Sequence, residues 1–459
     1  MERKTIKKFE ALVGEDGVLS TPEDLAVYSY DGTFADRRPD LVLLPSSTEQ
    51  VSRILELAFA EKMPVTARGM GSGLAAASVP SEGGIVLSSA RMNRIIELDE
   101  ENYMVLVEAG IVTADLQAAV EKRGLFYPPD PSSNRQSTIG GNIACNAGGP
   151  RCLKYGVTGD YVMGLTVVLP DGKILKTGGK TIKDVVGYDL TSLFTGSEGT
   201  LGIITEALLK LVAKPASVKT VRADFPRLDD ASGTVTAILK RGIVPATIEL
   251  MDETAIACIE ESAHLGLPLD IEALLIIESD GFDERAVARE IETITKICRD
   301  HGAREVTLAG SEQERSRLWS ARRAVSPSLA RKAPNKLGED ITVPRSAIPE
   351  TIRRIKQISS EHGLPIVVFG HAGDGNLHPN ILFDLRNPDH RAKVDIIAGQ
   401  IFKAALAVGG TLSGEHGVGT LKRSYVTEAL GSISIDVQKR IKAALDPANI
   451  MNPGKVLPD

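Results

Sequence analysis

The chain has 459 residues, 42% hydrophobic and 25% charged, with a formal net charge of −7. Its length exceeds one ordinary core and predicts two or three domains, and the acidic balance argues against nucleic acid or an anionic membrane as a main partner. No run of about 18 apolar residues occurs, and the start, MERKTIKKFEALVGED, lacks the apolar stretch of a secretory signal, so a cytoplasmic protein is expected.

The first third alternates strand and helix. LVLLP (41–45) reads as a short buried strand. Ser47, with Gln50 three residues on, has the spacing of a capping box, and Val51, Ile54, Leu55 and Ala58 recur at helical period. PVTA follows as a strand running into RGMGSG (68–73); GGIVLSS, RIIEL and YMVLVEAG are further strands, and a helix is expected from Thr113 to about Arg123. Residues 128–206 are dense in Gly, Ser and Asn, and long loops of that composition usually carry function. From about 215 the texture changes to strand, long helix and strand without glycine clusters, which predicts a second domain with an antiparallel sheet covered by helices. The boundaries expected are 1–214, 215–425 and a C-terminal segment, 426–459. Cys145, Cys152, Cys258 and Cys298 form no CxxC pair, so neither an iron–sulfur cluster nor a zinc ribbon is expected in this chain.

RGMGSG places Gly69, Gly71 and Gly73 on alternate positions directly after a strand. Without Cβ atoms, such a loop lets backbone N–H groups converge on a diphosphate. Alone, it reads equally well as a plain turn: it is no Walker loop, and Pro80 arrives too soon for the crossover helix of a dinucleotide fingerprint. TIGGN (138–142), NAGG (146–149), KYG (154–156) and GSEGTLG (196–202) then follow in order. Together with RGMGSG and PPDPSS (128–133), this series resembles the vanillyl-alcohol oxidase-type flavoproteins, and within them the D-2-hydroxyacid dehydrogenases related to D-lactate dehydrogenase and the glycolate oxidase D subunit.

The resemblance runs from about residue 20 to NPGK (452–455) and implies an α+β fold: a two-part FAD-binding domain of the vanillyl-alcohol oxidase type plus an α+β cap domain with an antiparallel sheet. It implies that Arg68, Gly69, Met70, Gly71, Ser72 and Gly73 wrap the FAD pyrophosphate. Pro129, Asp130, Ser133, Thr138, Gly140, Gly141, Asn142, Gly148 and Gly149 would line the rest of the cofactor, with Glu198, Gly199, Ile204 and Asn452 also in its binding site. Many members carry a histidine in the glycine loop that bonds covalently to flavin. Here the loop reads Gly69, Met70, Gly71, and no histidine precedes His264, so the FAD is expected to be non-covalent.

FGHAGDGNLHPNI (369–381) spends two of seven histidines on one loop. PIVVFG reads as a strand and LHPNILF as its returning partner, which lets His371 and His378 approach one point; period 2 puts His378 and Asn380 on one face. SGEHGVG (413–419) offers Glu415 as a third, anionic ligand. Two histidines and a carboxylate leave positions open on a divalent ion, as catalytic sites do. Paired loop histidines without context are more often plain surface residues, and Asp374 is best read as stabilising the turn. The resemblance favours the metal: it implies His371, His378 and Glu415 as ligands of a divalent metal (zinc first, manganese or iron as alternatives) and His416 as substrate-facing base. His264, His301, His362 and His390 read as ordinary helix or loop residues.

Arg322 and Ser326 share a helix face if that helix reaches Pro327, and Lys336 follows. The resemblance implies that Arg322 and Lys336 hold a substrate carboxylate; Ser326, a hydroxyl that a longer dicarboxylate would need, and Asn380, on the face of His378, are further substrate-binding candidates. The activity implied is FAD-dependent oxidation of a D-2-hydroxy acid (D-lactate, glycolate or D-2-hydroxyglutarate), with Cα hydride passing to flavin N5. Electrons would go to a separate acceptor: an iron–sulfur subunit, an electron-transfer flavoprotein or a quinone. A homodimer, and a peripheral position at the inner face of the membrane through a partner, are further expectations. The competing reading is a flavin-binding electron-transfer subunit without substrate chemistry; it has no use for His371, His378, Glu415 and His416. An oxidase of phenols fits poorly with 4% aromatic residues.

Overall fold

A computed structural model describes residues 2–459, and the chain divides into two compact units. The N-terminal unit comprises residues 2–148, 156–214 and 415–459; the second comprises 149–155 and 215–414.

In the N-terminal unit, β1 (Val18–Leu19), β2 (Leu41–Leu43), β3 (Val65–Arg68) and β4 (Ile85–Ser88) form a sheet in the order β1-β2-β4-β3, with β2, β4 and β3 parallel. Parallel strands of one sheet need a crossover, and the helix Thr48–Ala60 carries the chain from β2 to β3, which flank β4. Ser47 caps it by accepting from Gln50 N–H, while the Gln50 side chain reaches back to Ser46 N–H rather than to Ser47. Its Val51, Ile54, Leu55 and Ala58 pack with Leu41, Leu43, Ile85 and Leu87 into one core. Each such aliphatic side chain contributes about 1.5–3 kcal/mol by leaving water.

The second sheet of this unit is antiparallel, in the order β5-β6-β10-β8-β9. It contains β5 (Ile95–Asp99), β6 (Met104–Glu108), β8 (Val162–Val168), β9 (Ile174–Gly178) and β10 (Ile203–Lys210). The short β7 (Leu125–Phe126) pairs with β11 (Val212–Ala213). The C-terminal segment returns here: Val65 N–H donates to Ile450, Asn452 N–H donates to Val65, and Ile450 and Met451 enter the same core.

The second unit carries one antiparallel sheet, in the order β15-β12-β14-β13-β18-β19-β16. Its strands are β12 (Ser217–Phe225), β13 (Thr247–Asp252), β14 (Ala273–Gly281), β15 (Glu305–Leu308), β16 (Asn335–Gly338), β18 (Ile366–His371) and β19 (Asn376–Phe383); β17 (Ile341–Thr342) pairs with β19. Nearly all of β14, ALLIIESDG, is buried, because helices cover both faces of this strand. The helix Glu284–Asp300 presents Val287, Ile291, Ile294 and Cys298 at helical spacing. On the other face, Ile256 and Ile259 of the helix Glu253–Ala263 pack with Val325 and Leu329 of the helix Glu312–Lys332.

The compact second unit ends at Gly414 rather than near 425. The local reason is that Val418 and Gly419 hydrogen-bond to Glu198 of the N-terminal unit's own fold. No helix among the described residues is long and apolar enough to cross a membrane.

Candidate active site

β18 and β19 form a hairpin with Phe369 opposite His378 and His371 opposite Asn376. Its turn needs Gly375 at φ +90°, where a Cβ would lie 2.1 Å from the Val343 carbonyl. Asp374 accepts from Asn376 N–H and closes the turn. The hairpin brings both imidazoles together in the buried interior of the second unit: His371 Nε2 and His378 Nε2 are 3.4 Å apart, with the rings nearly perpendicular.

Glu249, directly opposite His371 across the β13–β18 pairing, accepts from His371 Nδ1 at 2.5 Å through one oxygen. Its other oxygen accepts from Arg322 Nε at 2.5 Å. Glu249 is fully buried. Burial alone would raise its carboxyl, but His371 and Arg322 beside it bring it down to about 2. Arg322 stands on the helix Glu312–Lys332, which does run through Pro327, and its guanidinium lies over the Phe369 ring at 4.6 Å. One turn further on, Ser326 Oγ accepts from Lys336 Nζ at 2.5 Å, and burial pushes the Lys336 ammonium below its ordinary value. Asn380 donates its amide to the His378 carbonyl at 2.8 Å, on the same strand face.

A second buried carboxylate, Asp340, lies 3.9 Å from His378 Nδ1. It accepts from Asn376 Nδ2 at 2.6 Å, Ser413 Oγ at 2.6 Å and Gly414 N at 2.9 Å. Asp340 therefore fixes the chain one residue before Glu415. Neither Glu249 nor Asp340 was among the residues expected from the sequence. The available signal was acidic residues next to apolar ones in two stretches, a single acid in TIELM and an acidic pair opening EDITV.

In the N-terminal unit, Glu415 and His416 open a loop with their side chains 3.9 Å apart. Glu198 pins that loop, accepting from Val418 N–H at 2.7 Å and Gly419 N–H at 2.8 Å. Burial raises the Glu198 carboxyl above its ordinary value, against the pull of those two N–H groups. Among the other expected cofactor residues, Asn142 donates its amide to Thr113, and Asn452 donates to the Ala77 and Glu198 carbonyls. Arg68 donates to the Tyr30 carbonyl and Asp130 accepts from Asn134, while Ile204 lies on β10 opposite Val167. The carboxylate of Glu198 and the side-chain amides of Asn142 and Asn452 thus serve the protein's own scaffold.

Residues 39–178 match the FAD binding domain, and residues 214–456 match the C-terminal domain of FAD linked oxidases. The chain belongs to the FAD-linked oxidase family. A glycolate oxidase subunit GlcD of Bacillus subtilis is 49% identical over 94% of this chain and 92% of its own length. A D-lactate dehydrogenase of Anaerostipes hadrus is 34% identical over 99% and 96%. Among solved structures, p-cresol methylhydroxylase aligns with a TM-score of 0.85, over 99% of this chain and 96% of that one, at 19% identity; it speaks for the fold alone. The architecture is accordingly that of the vanillyl-alcohol oxidase-type flavoproteins, and the chain is an FAD-dependent oxidoreductase.

The residues of this FAD-linked oxidase fit a flavin nucleotide. Gly71 adopts φ +71°, which favours glycine. A Cβ at Gly69 would lie 2.3 Å from Thr138 Oγ1, and one at Gly140, in the first turn of the helix Ile139–Cys145, would lie 2.7 Å from the Ala109 Cβ, so the loop and the helix start approach their neighbours where only glycine fits. Thr138 caps that helix by accepting from Gly141 N–H, so TIGGN, expected as a glycine loop, is the start of a helix. A cavity of about 500 Å³ lies beside Met70, lined also by Asn93, Gly110, Val112 and Asp115, within the size range of ligand pockets.

Proposed function

We propose that this protein oxidises a D-2-hydroxy acid of the glycolate, D-lactate or D-2-hydroxyglutarate class to the 2-oxo acid and passes the electrons to a separate acceptor. The observation that carries the reading is the 3.4 Å separation of His371 Nε2 and His378 Nε2. Two nitrogens each about 2.05 Å from one ion, at a tetrahedral angle, are about 3.3 Å apart. The names of the relatives, glycolate oxidase subunit and D-lactate dehydrogenase, support the substrate class and the D hand.

His371 and His378 would hold the divalent ion, zinc first, with Glu415 the third ligand expected. Support for Glu415 comes from the Asp340 clamp on Ser413 and Gly414, the residues just before it. FAD, when bound, supplies two-electron acceptance at N5, and the ion supplies the positive charge that makes the substrate hydroxyl a stronger acid. Arg322 and Lys336 bind the substrate carboxylate, Arg through a planar fork, and so aim the Cα–H bond. His416 accepts the hydroxyl proton, a task suited to an imidazole. Ser326 orients Lys336, and Asn380 borders the carboxylate site. Cluster-binding cysteine pairs do not occur in this chain, so the acceptor is a partner: an iron–sulfur subunit, an electron-transfer flavoprotein or a quinone.

The deciding experiment is an anaerobic absorbance titration of the flavoprotein with glycolate, D- and L-lactate and D-2-hydroxyglutarate, before and after chelation. Bleaching by a D-acid or glycolate, abolished by chelator and restored by zinc or manganese, is the expected result. A flavin band that none of these acids bleaches with metal present would make the chain an electron-transfer subunit instead.

A further inference from the structure

We propose that Glu249 is a positioning residue that couples the metal-binding histidines to the carboxylate-binding arginine, so that divalent cation and 2-hydroxycarboxylate are held by one shared anchor. The inference rests on the function proposed above and extends it to a residue outside the ligand and substrate sets.

The two oxygens of Glu249 are divided between the two tasks. One accepts from His371 Nδ1 and the other from Arg322 Nε, each at 2.5 Å. A proton held on Nδ1 leaves the lone pair on Nε2, the atom that faces His378, so the contact selects the tautomer a cation requires. Binding Arg322 through Nε leaves the edge formed by its two terminal nitrogens outside this contact, and that edge is the one that matches a carboxylate fork. The Phe369 ring holds the guanidinium plane from one side.

The placement is built into the sheet. Glu249 and His371 are register partners on adjacent antiparallel strands, and Glu249 is the sole acid among the apolar positions 248–251. A fully buried carboxylate is costly unless it is paired, and here both partners come from groups that the reaction needs. The two sites should therefore respond together to a change at one residue that touches neither cation nor substrate.

The test is Glu249→Gln in the FAD-loaded full chain. An amide retains the shape but has one acceptor oxygen for two N–H donors, so one contact must be lost. Flavin content and the far-ultraviolet spectrum should stay as in the unmutated protein. Zinc affinity, measured by competition with a chromogenic chelator, should fall roughly 10- to 100-fold, and KM for D-lactate or glycolate should rise at least about tenfold. Zinc affinity within twofold of the unmutated protein, or an unchanged KM, overturns the proposal. Should the Gln variant fail to fold, Arg322→Lys is read instead: it preserves charge but removes the planar Nε–H. A raised KM together with a zinc affinity shifted threefold or more supports coupling; a raised KM with zinc affinity unmoved overturns it. Undiminished turnover by unmutated protein stripped of all divalent metal would instead sink the metal-assisted function, a result separable from either variant.

Discussion

The carboxylate of Glu198 accepts the backbone N–H groups of both Val418 and Gly419, at 2.7 and 2.8 Å. It does so from a backbone at φ +51°, and Gly417 beside it lacks room for a Cβ, which would lie 2.9 Å from Glu198 Oε1. One buried acid thus sets the course of the loop that carries Glu415 and His416. Glu198→Gln replaces one acceptor with a donor and leaves one loop N–H unsatisfied, at a cost of about 1–3 kcal/mol. The expected outcome is a lowered Tm and a turnover reduced more than flavin content is. Flavin loss in step with turnover would mark Glu198 as a cofactor residue, as the resemblance implies.

His378→Ala separates flavin binding from metal binding. The glycine loop at 69–73 and the helix start at 138–141 belong to the N-terminal unit, whereas His378 lies in the sheet of the second. The variant should keep its flavin absorbance and lose bound divalent metal, with turnover down roughly 100-fold or more. Elemental analysis and the ratio of flavin to protein absorbance read both quantities from one sample. A variant that loses flavin would show that the histidine pair belongs to the cofactor site.

Much of this site was legible because its chemistry is written locally. FGHAGDGNLHPNI contains both histidines, the turn that folds them together and the alternation that aims them, so a hairpin reading suffices to pair them. The glycine motifs were legible for a similar reason: positions such as Gly69 and Gly140 leave no room for a Cβ, and the order of the motifs is distinctive, although TIGGN opens a helix rather than a loop. Glu249 was not, because its partners lie 122 and 73 residues away and only strand register makes it their neighbour. Glu198 was expected at the cofactor from the resemblance alone, and its anchoring of the 415–419 loop depends on a residue 220 positions further along. The return of 415–459 to the N-terminal core was anticipated only from 426, since glycine-rich 414–419 carries no periodicity to assign it to either unit.

The mode of flavin attachment can be checked directly. The loop that resembles an attachment site holds Met70 between Gly69 and Gly71, and the first histidine is His264. Acid precipitation should therefore release all flavin into the supernatant as intact FAD, leaving a colourless pellet. Yellow colour retained in the pellet would require a covalent bond from a residue outside that loop.

Asp252 makes the stability of the second unit depend on pH. It caps the helix Glu253–Ala263 by accepting from Ala255 N–H at 2.8 Å, and also accepts from Thr254 Oγ1 at 2.6 Å. Its carboxyl is fully buried, and that burial raises its pKa to about 6, against the hydrogen bonds that lower it. Between the ordinary carboxylate range and pH 6 the folded chain binds a proton that the unfolded chain has released. Stability contributed at this site therefore falls as pH rises through that window, by about 2–3 kcal/mol if the full shift is realised. Asn caps a helix as well as Asp and carries no charge to desolvate. Asp252→Asn should accordingly raise Tm at pH 7.5, with the gain shrinking towards zero at pH 4. Thermal melts of both proteins across that range decide it: a gain of equal size at both pH values would assign the effect to packing rather than to proton linkage.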